Sequence, residues 1–460
     1  MYQDKTVAYC TLGCRLNFAE SSTLAFRLEQ MGFKRIRPTD HTKDHATGHT
    51  TDHASDREGQ GHTSADLLVI NTCAVTEQAT AKCRQQIRKL IKEHPTAFVV
   101  VTGCYAQIGA GELASSVEGI DLIVGNEYKG ENLTAWLGDL SKKVEPQVVS
   151  TRFQEIHTFH ASCSADDRTR HFLKVQDGCD YFCTYCTIPM ARGRSRNPHI
   201  SELVEQAREV VCQGGKEIVL TGVNIGDFGR STGETFYDLC RALDEVDGIE
   251  RYRIGSIEPN LLTDDLLRWL ATESRHFAPH FHIPLQAGSD EVLKLMRRRY
   301  DTTLFRQKIE LVKTLLPDAF IGVDVMAGMR GETAQLFDQG YDFIESLPIS
   351  QLHPFTYSER NGTKALDIRP VVPVPERHAR TSRLVALSER KLRDFYLSQA
   401  GTRRRVLWEQ PEAGKTVMHG FTENYIRVEH AYLPEWVNTC TEVTLSDSIG
   451  ESTQGPVIVL

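Results

Sequence analysis

The chain has 460 residues, of which 40% are hydrophobic and 25% are charged, and its formal net charge is −8. This length is too great for one hydrophobic core, so roughly two to four soluble globular domains are expected. The composition excludes a membrane-spanning chain, which needs about 18 consecutive apolar residues, and the acidic charge excludes a uniformly basic nucleic-acid binder.

The chain begins without the apolar region of a signal peptide, so we expect a cytoplasmic protein. It contains twelve cysteines. In the reducing cytoplasm this number favours metal or redox chemistry over disulfides.

The first 140 residues alternate short apolar runs with helical patterns. Strands are predicted at residues 6–9, 67–70, 98–102 and 122–125, and helices at 17–31 and 80–94. This alternation indicates an open parallel α/β sheet in an N-terminal domain over residues 1–140.

Three cysteines, Cys14, Cys73 and Cys104, each lie just past the carboxyl end of one of these strands. In an open parallel sheet those ends share one edge, where ligands bind. The three thiols can therefore converge on a metal cluster although they are far apart in sequence. The alternative for any one of them is a small buried hydrophobic residue. Packing or surface thiols are preferred for the cysteines whose neighbouring residues match none of the motifs quoted below: Cys10, Cys83, Cys163, Cys212, Cys240 and Cys440.

A histidine-rich segment, residues 40–64, interrupts this domain. Its histidines recur every four residues, at His41, His45, His49 and His53, and it has almost no apolar side chains. Such a composition cannot offset the entropy of ordering, so the segment is predicted to be disordered. Metal binding is the alternative that the spacing leaves open.

A polar linker is predicted over residues 141–170, and a second α/β series follows over residues 171–400. Its strands are predicted at residues 171–175, 217–220, 252–254, 280–283, 320–323 and 351–353, and its helices at 200–213, 235–246, 263–272, 289–298, 303–316 and 333–346. Six strands with intervening helices suit a partial β/α barrel, whose active site lies at the carboxyl ends of the strands.

Three closely spaced cysteines follow the first strand of this series. Cys179, Cys183 and Cys186 form a C-x3-C-x2-C run that lets one loop wrap a single metal centre. Zinc sites and iron–sulfur clusters normally take four protein ligands. Three cysteines would leave one iron of a [4Fe–4S] cluster open to a substrate or cofactor. Chance cysteines in an ordinary loop are the alternative that this spacing disfavours.

The end of the chain changes pattern again. A charged helix is predicted at residues 376–398, followed by short strands at 405–408, 415–420, 425–429, 441–445 and 455–460. These short strands suggest a small β-barrel over residues 401–460. Small barrels of this kind bind single-stranded RNA through basic and aromatic groups, with a solvated charged face as the alternative. The candidate side chains are Arg403, Arg404, Arg405, Tyr425 and Arg427.

The sequence motifs around the cysteines resemble those of the radical S-adenosylmethionine (SAM) methylthiotransferases. The loop of Cys179 reads C-D-Y-F-C-T-Y-C-T-I-P-M-A-R-G-R-S-R, and Cys14, Cys73 and Cys104 lie in T-L-G-C-R-L-N, N-T-C-A-V-T and G-C-Y-A-Q. The resemblance implies that each set of three cysteines holds a [4Fe–4S] cluster, that all six take part in catalysis, and that SAM binds the open iron at Cys179, Cys183 and Cys186.

The same resemblance implies partners and a last domain. The C-terminal strands are similar to a TRAM-like RNA-binding domain, the substrate would be a tRNA anticodon stem-loop, and an electron donor of the flavodoxin-like or ferredoxin-like kind would be needed. No membrane partner is implied. The expected fold class is α/β, with an open parallel domain, a partial (β/α)6 barrel and a small β-barrel.

Further residues resemble family positions that contact SAM. Gly214, Gly215 and Glu217 resemble a G-G-x-E word, in which the glycines allow close backbone approach and Glu217 would accept from the methionyl ammonium. Positions that resemble those near the ribose and the substrate are Ser256, Glu258, Gln286 and Asp324. Helix capping and strand-end hydrogen bonding are the alternative for each of these.

The leading functional hypothesis is transfer of a methylthio group to carbon 2 of N6-threonylcarbamoyladenosine beside the anticodon of tRNA. The words T-L-G-C-R-L-N and F-T-Y-S-E-R-N-G-T are more similar to this branch than to the isopentenyl branch. The alternatives are an N6-isopentenyladenosine substrate, a ribosomal-protein aspartate, and a non-catalytic Fe–S redox sensor that binds RNA.

A threonylcarbamoyl carboxylate would favour a guanidinium partner. The candidates are Arg192, Arg194, Arg196, Arg330 and Arg360. Arg330 replaces the proline that the family more usually has in its G-F-P-G-E word.

Overall fold

The computed structural model describes residues 2–36, 64–164, 169–411, 414–452 and 455–460. The histidine-rich segment falls almost entirely outside the described residues, so its disorder and its metal binding stay predictions. The chain divides into two compact units. The first comprises Met1–Asp166, Phe172–Asp180 and Cys186–Pro198, and the second comprises Asp167–His171, Tyr181–Tyr185 and His199–Leu460.

The first unit is built on one parallel sheet. Its strands are β1 (Thr6–Thr11), β2 (Lys34–Arg35), β3 (Leu67–Thr72), β4 (Phe98–Gly103), β5 (Leu122–Val124) and β6 (Gln147–Val149). Its helices are α1 (Arg15–Gln30), α2 (Glu77–Glu93), α3 (Cys104–Ile108) and α4 (Ala110–Ser116). The strand order is β2-β1-β3-β4-β5-β6, and every residue of the central strands β3 and β4 is buried. The predicted open parallel sheet is confirmed.

Strand β6 lies where the sequence predicted only a linker. Residues Gln147–Val149 pair in parallel with β5, and the Val149 side chain is buried. The strand has only three residues, of which two are valines, so its apolar run is too short to identify a strand from sequence. An edge strand needs only one hydrogen-bonded neighbour, which β5 provides.

The cysteine loop of residues 179–186 lies between β7 (Arg170–Lys174) and α5 (Ile188–Arg192). The strands that follow are β8 (Glu217–Thr221), β9 (Arg251–Ile254), β10 (His280–His282), β11 (Phe320–Ala327) and β12 (Gln351–Thr356). The helices are α6 (Ile200–Cys212), α7 (Phe236–Asp244), α8 (Asp264–Thr272), α9 (Asp290–Met296), α10 (Thr302–Leu315), α11 (Ala334–Ser346) and α12 (Val374–Ser398). This order confirms the predicted β/α series.

The strands of this series run in parallel. β8 pairs with β9, and β11 lies between β10 and β12. A parallel bridge between Ser256 and His282 continues β9 towards β10. The carboxyl ends of these strands therefore face the same way, as an active site of this fold class requires.

Side-chain caps fix the starts of several helices in the second unit. The caps before α7, α8, α10 and α11 each accept a hydrogen bond from the backbone N–H three residues on; they are Thr235, Thr263, Asp301 and Thr333. In α10 the side chains of Phe305, Ile309 and Val312 follow at helical spacing and are buried. A cap followed by this period explains why the sequence predicted these helices to within two residues.

The chain ends in a six-stranded mixed sheet in the order β16-β13-β14-β15-β18-β17. Its strands are β13 (Arg403–Trp408), β14 (Val417–Thr422), β15 (Arg427–Ala431), β16 (Cys440–Thr444), β17 (Ile449–Ser452) and β18 (Gly455–Val459). Strand β17 was missed by the sequence pattern because its I-G-E-S run has no alternation, and antiparallel pairing with β18 holds it. Across the described ranges, no helix is long and apolar enough to cross a membrane.

Candidate active site

The three dispersed cysteines meet at one edge of the first sheet. Strands β1, β3 and β4 are neighbours, and Cys73 and Cys104 follow β3 and β4 directly, while Cys14 caps the start of α1. Burial raises the pKa of the Cys73 thiol, and Coulombic repulsion from Cys14 and Cys104 raises it further. The strand order brings the ends of β1, β3 and β4 to one edge of the sheet, as the sequence predicted.

Two glycines let the loops close on this site. A Cβ atom on Gly13 would lie 2.6 Å from Cys73 Cβ and 3.0 Å from Cys73 Sγ, and Gly13 has a φ of +114°. Gly103, with a φ of +95°, would place a Cβ atom 2.3 Å from Asn71 Oδ1. Only glycine fits such a conformation at so close an approach, so the backbone itself lines the cysteine site.

The dispersed cysteines supply the thiol donors that an iron–sulfur cluster takes. In the chain as described, no three His, Cys, Asp or Glu side chains approach as closely as one metal ion requires. A four-iron cube spaces its thiolate ligands more widely than one ion does. Three interacting, mostly buried thiols therefore match a [4Fe–4S] cluster.

The division between the two units passes through the loop of Cys179, Cys183 and Cys186. In the first unit, Cys179 N donates to Gly193 O at 3.1 Å, and Ile188 N donates to Cys186 Sγ at 3.4 Å. These bonds fix both ends of the loop against α5.

Cys183 belongs to the second unit. Arg298 Nη1 donates to Cys183 Sγ at 3.1 Å, and the neighbouring Thr184 N donates to Met296 O at 3.1 Å. Burial raises the pKa of the Cys183 thiol, and the Arg298 guanidinium opposes that increase. Arg298 therefore favours the thiolate that a cluster ligand must be.

Arg298 also holds one of the predicted SAM contacts. Its Nη2 donates to Glu258 Oε2 in a buried ion pair. Burial raises the pKa of Glu258, and Arg298 opposes this rise. The guanidinium thus places Glu258 beside Cys183, in the unit where SAM is expected.

Two other predicted contacts lie side by side. Gln286 N donates to Asp324 O at 2.8 Å, and Asp324 Oδ1 lies 2.8 Å from His282 Nε2. Gln286 has a φ of +69°, an uncommon conformation for a side chain of this size. Ser256, the fourth residue predicted to contact SAM, forms a parallel backbone β-bridge with His282.

Several buried acceptors in the second unit lack a hydrogen bond from the described residues. They include Gln286 Oε1, Asn260 Oδ1 and Asp227 Oδ2, and also Glu217 Oε2 and Asn438 Oδ1. Buried acceptors without donors are rare in folded proteins and commonly face a ligand. The ammonium group and ribose hydroxyls of SAM are donors of the kind that Gln286 Oε1, Asn260 Oδ1 and Asp227 Oδ2 lack.

Glu217 does not lie at this edge, so its position gives no support to the predicted contact with the methionyl ammonium. Glu217 begins β8, whereas the carboxyl end of that strand is Thr221. The fully buried carboxylate accepts from Arg253 Nε at 2.8 Å and lies 3.5 Å from Arg251. Gly214 and Gly215 precede Glu217, so the G-G-x-E word stands at the amino end of the strand.

Most of the arginines predicted for a substrate carboxylate are engaged within their own unit. Arg192 and Arg196 have side chains only 1% and 7% exposed, and both bind Asp177. Arg330 binds Glu359 through two nitrogens, at 3.0 and 2.9 Å. Arg194, 68% exposed, pairs with Asp180.

The predicted RNA-binding side chains of the C-terminal sheet also have partners in their unit. Arg403 pairs with Glu442, Arg404 with Asp318, and Arg405 with Glu250. The Tyr425 ring packs 5.0 Å from Phe421, and Arg427 Nη1 donates to Ser452. Only Arg403 and Arg405 combine a pair with side chains more than half exposed, at 76% and 57%.

Sequence reasoning missed Arg298 and the supports of the dispersed cysteines. Arg297 ends α9 in a left-handed conformation with a φ of 60°, which turns the chain before Arg298. The signal was the R-R-R-Y run of residues 297–300, which reads as a charged surface turn. Asn17 and Glu20, discussed below, look like ordinary polar positions of α1.

Comparisons with known proteins agree with this geometry. Residues 173–344 match the model of the Radical SAM superfamily, and residues 44–125 match that of the uncharacterized protein family UPF0004. The chain is 35% identical over 440 residues to the threonylcarbamoyladenosine tRNA methylthiotransferase MtaB of Bacillus subtilis, covering 92% of this chain and 90% of that protein. Identity to its Aquifex aeolicus counterpart is 34% over 425 residues, with coverages of 92% and 96%.

More distant similarities are also informative. The tRNA-2-methylthio-N(6)-dimethylallyladenosine synthase of Thermobifida fusca is 30% identical over 424 residues, with coverages of 91% and 81%. Among solved structures, the radical S-adenosylmethionine methyltransferase TsrM of Kitasatospora setae superposes with a TM-score of 0.53 at 14% identity, covering 76% of this chain and 73% of TsrM. At that identity the likeness concerns the fold alone.

Proposed function

The chain belongs to the radical SAM tRNA methylthiotransferases, and we propose that it converts N6-threonylcarbamoyladenosine beside the tRNA anticodon to its 2-methylthio form. The observation that carries the choice of substrate is the 35% identity, over 92% of the chain, to a threonylcarbamoyladenosine enzyme. The compared isopentenyl-type relative reaches 30%. The cysteine sites and SAM-binding residues supply what this reaction needs.

Each set of three cysteines would hold one [4Fe–4S] cluster. When bound, the clusters and SAM supply the radical and sulfur-transfer chemistry. Cys179, Cys183 and Cys186 would hold the cluster that binds SAM, and the auxiliary cluster would lie on the dispersed set. Three protein ligands leave one iron open in each.

The second unit would orient SAM. Arg298 donates to Cys183 Sγ, which favours the thiolate that a bound cluster requires, and it positions Glu258. The unpaired oxygen of Gln286 accepts from a ligand donor, and Asp324 is held by His282. Burial of these groups excludes water, which strengthens each hydrogen bond to the ligand.

The tRNA base must leave its stack to reach such a site, and the free energy of unstacking is small for a base in a single-stranded anticodon loop. Arg403 and Arg405 of the TRAM-like C-terminal sheet are the exposed cations proposed to contact RNA. The enzyme works in the cytoplasm with its tRNA, and a flavodoxin-like or ferredoxin-like protein supplies electrons.

The test uses two anticodon stem-loops that differ only in the N6 group of the adenosine. With reduced, reconstituted enzyme we expect the 2-methylthio product, measured by mass spectrometry, from the threonylcarbamoyl stem-loop. The variant with Cys179, Cys183 and Cys186 changed to Ala is the control for background product. Turnover of the isopentenyl stem-loop alone would refute the substrate but not the reaction class.

A further inference from the structure

Six charged side chains are buried together in the first unit. Each is at most 7% exposed; they are Glu20, Lys129, Lys174, Asp177, Arg192 and Arg196. Lys129 Nζ lies 2.6 Å from Glu20 Oε1, and Lys174 Nζ lies 2.6 Å from Asp177 Oδ2. We call this group the buried charge cluster.

The buried charge cluster has an excess of positive charge, because it contains four cations and two carboxylates. Burying uncompensated charge is costly, so anions are expected next to the excess. In the proposed function, the cluster held by the dispersed cysteines would supply such an anion. Burial acts to lower the pKa of Arg192, but Coulombic attraction to Cys104, Glu20, Asp177 and Cys14 raises it well above its usual value.

Arg192 reaches the cysteine site through one side chain. Its Nη2 donates to Asn17 Oδ1 at 2.7 Å, and the same oxygen lies 3.8 Å from Cys14 Sγ. Asn17 Nδ2 donates to Leu12 O at 2.9 Å and to Thr72 O at 3.1 Å. Thr72 directly precedes Cys73, and Leu12 lies two residues before Cys14. Asn17 therefore fixes the backbone next to two of the three cysteines.

Arg192 is equally tied to the other cysteine loop. It is the last residue of α5, and its Nη1 donates to Asp177 Oδ1 at 3.0 Å and to Glu20 Oε1 at 2.9 Å. Asp177 Oδ1 also accepts from Gly178 N at 2.9 Å, immediately before Cys179. One guanidinium therefore fixes both the base of this loop and the support of the dispersed site.

We propose that Arg192 is a positioning residue for the auxiliary cluster site of Cys14, Cys73 and Cys104. Its guanidinium fixes Asn17 against Cys14 and supplies the buried positive charge that stabilises the anionic cluster. This inference rests on the proposed function, in which that site carries a cluster. A nearby positive charge favours the reduced, more negative state, so it makes the auxiliary cluster easier to reduce.

The experiment uses protein in which Cys179, Cys183 and Cys186 are changed to Ala, so that only the auxiliary cluster is present. Its reduction potential is measured by titration followed by electron paramagnetic resonance, and iron per chain is measured after a chelator challenge. Arg192→Gln should shift the potential to a more negative value and lose iron several-fold faster. Arg192→Lys, which keeps the charge, should shift it less.

Glu20→Gln should shift the reduction potential of the auxiliary cluster in the opposite direction, to a more positive value, because it removes a negative charge from the buried charge cluster. Arg88→Gln is the matched control: Arg88 is exposed on α2 and donates to Ser116 O. It removes one positive charge without changing the potential. A purely structural role would not predict opposite shifts for Arg192→Gln and Glu20→Gln.

If Arg192→Gln alone fails to fold, the double variant Arg192→Gln/Glu20→Gln replaces the ion pair with two neutral amides. Its potential should lie below that of Glu20→Gln. Equal potentials for these two proteins, or shifts of the same sign for both single variants, would overturn the role of Arg192. Absence of iron from the parent protein would instead overturn the proposed function, and this inference with it.

Discussion

Glu217 and Glu258 are both buried glutamates that bind arginines, but they lie at opposite ends of their strands. Glu217 begins β8, while Glu258 follows the carboxyl end of β9. In this fold class, residues at the amino ends of the strands contribute to stability, and residues at the carboxyl ends form the active site. The position of a residue in its strand therefore decides its role more than its chemical type does.

The two positions give opposite expectations for Glu→Gln variants. Glu217→Gln should leave Arg251 and Arg253 without their anion, which costs about 3–5 kcal/mol of unfolding free energy, and should leave SAM affinity unchanged. Glu258→Gln should weaken SAM binding with a smaller loss of stability. Urea unfolding and equilibrium dialysis with SAM measure the two effects, and each variant is the control for the other. A loss of SAM affinity in Glu217→Gln at unchanged stability would contradict this.

His160 gives the first unit a pH dependence. Burial, followed by repulsion from Lys129 and Lys174, lowers its pKa from 6.5 to about 4. Between pH 6.5 and 4, His160 is therefore protonated in the unfolded chain but neutral in the folded chain. The free energy of unfolding falls as the pH drops through this range, by up to roughly 3 kcal/mol. His160→Gln, which can still donate to the Glu127 carbonyl, should unfold with a shallower pH slope over this range. Equal slopes for both proteins would contradict the argument.

At the scale of elements, the loops after β1, β3 and β4 and the loop after β7 each present thiols at a strand end. One set of cysteines comes from three separate loops and the other from a single loop, but both sets follow the carboxyl ends of strands. Because the two sets lie in separate loops, they can be removed separately.

Changing Cys179, Cys183 and Cys186 to Ala should abolish release of 5′-deoxyadenosine from SAM and leave the auxiliary cluster in place. Changing Cys14, Cys73 and Cys104 to Ala should preserve that release but stop methylthio transfer. Iron analysis and product chromatography measure both outcomes. Unchanged iron in either variant would show that its cysteines hold no cluster.

At the scale of the whole molecule, the histidine-rich segment at residues 40–64 differs most from the rest of the chain in composition. Its composition offers no core, so deletion of residues 41–62 should change activity and melting temperature little. The same deletion tests metal binding, since zinc affinity compared before and after it reports the histidines. A halved activity, or tight zinc binding lost on deletion, would show that the segment has a role.

The sequence alone predicted most of the helices and strands and the two sets of cysteines. Helical period with capping residues, apolar runs and the spacing of cysteines are local properties, so α6 to α12, the central strands and both sets of thiols could be predicted. The short strands β6 and β17 could not, because neighbouring strands rather than their own side chains hold them.

Only the tertiary structure decided which groups neutralise the buried charges. Arg192 meets Asn17 and Glu20 across 175 and 172 positions of sequence, and Arg251 and Arg253 reach Phe421 and Thr422 across 170 and 169. Such pairs form because a charge removed from water needs a partner wherever the fold brings one close. No local pattern records that choice, so the sequence alone did not show that Glu217 is buried against Arg253 or that Arg192 binds Glu20 and Asp177.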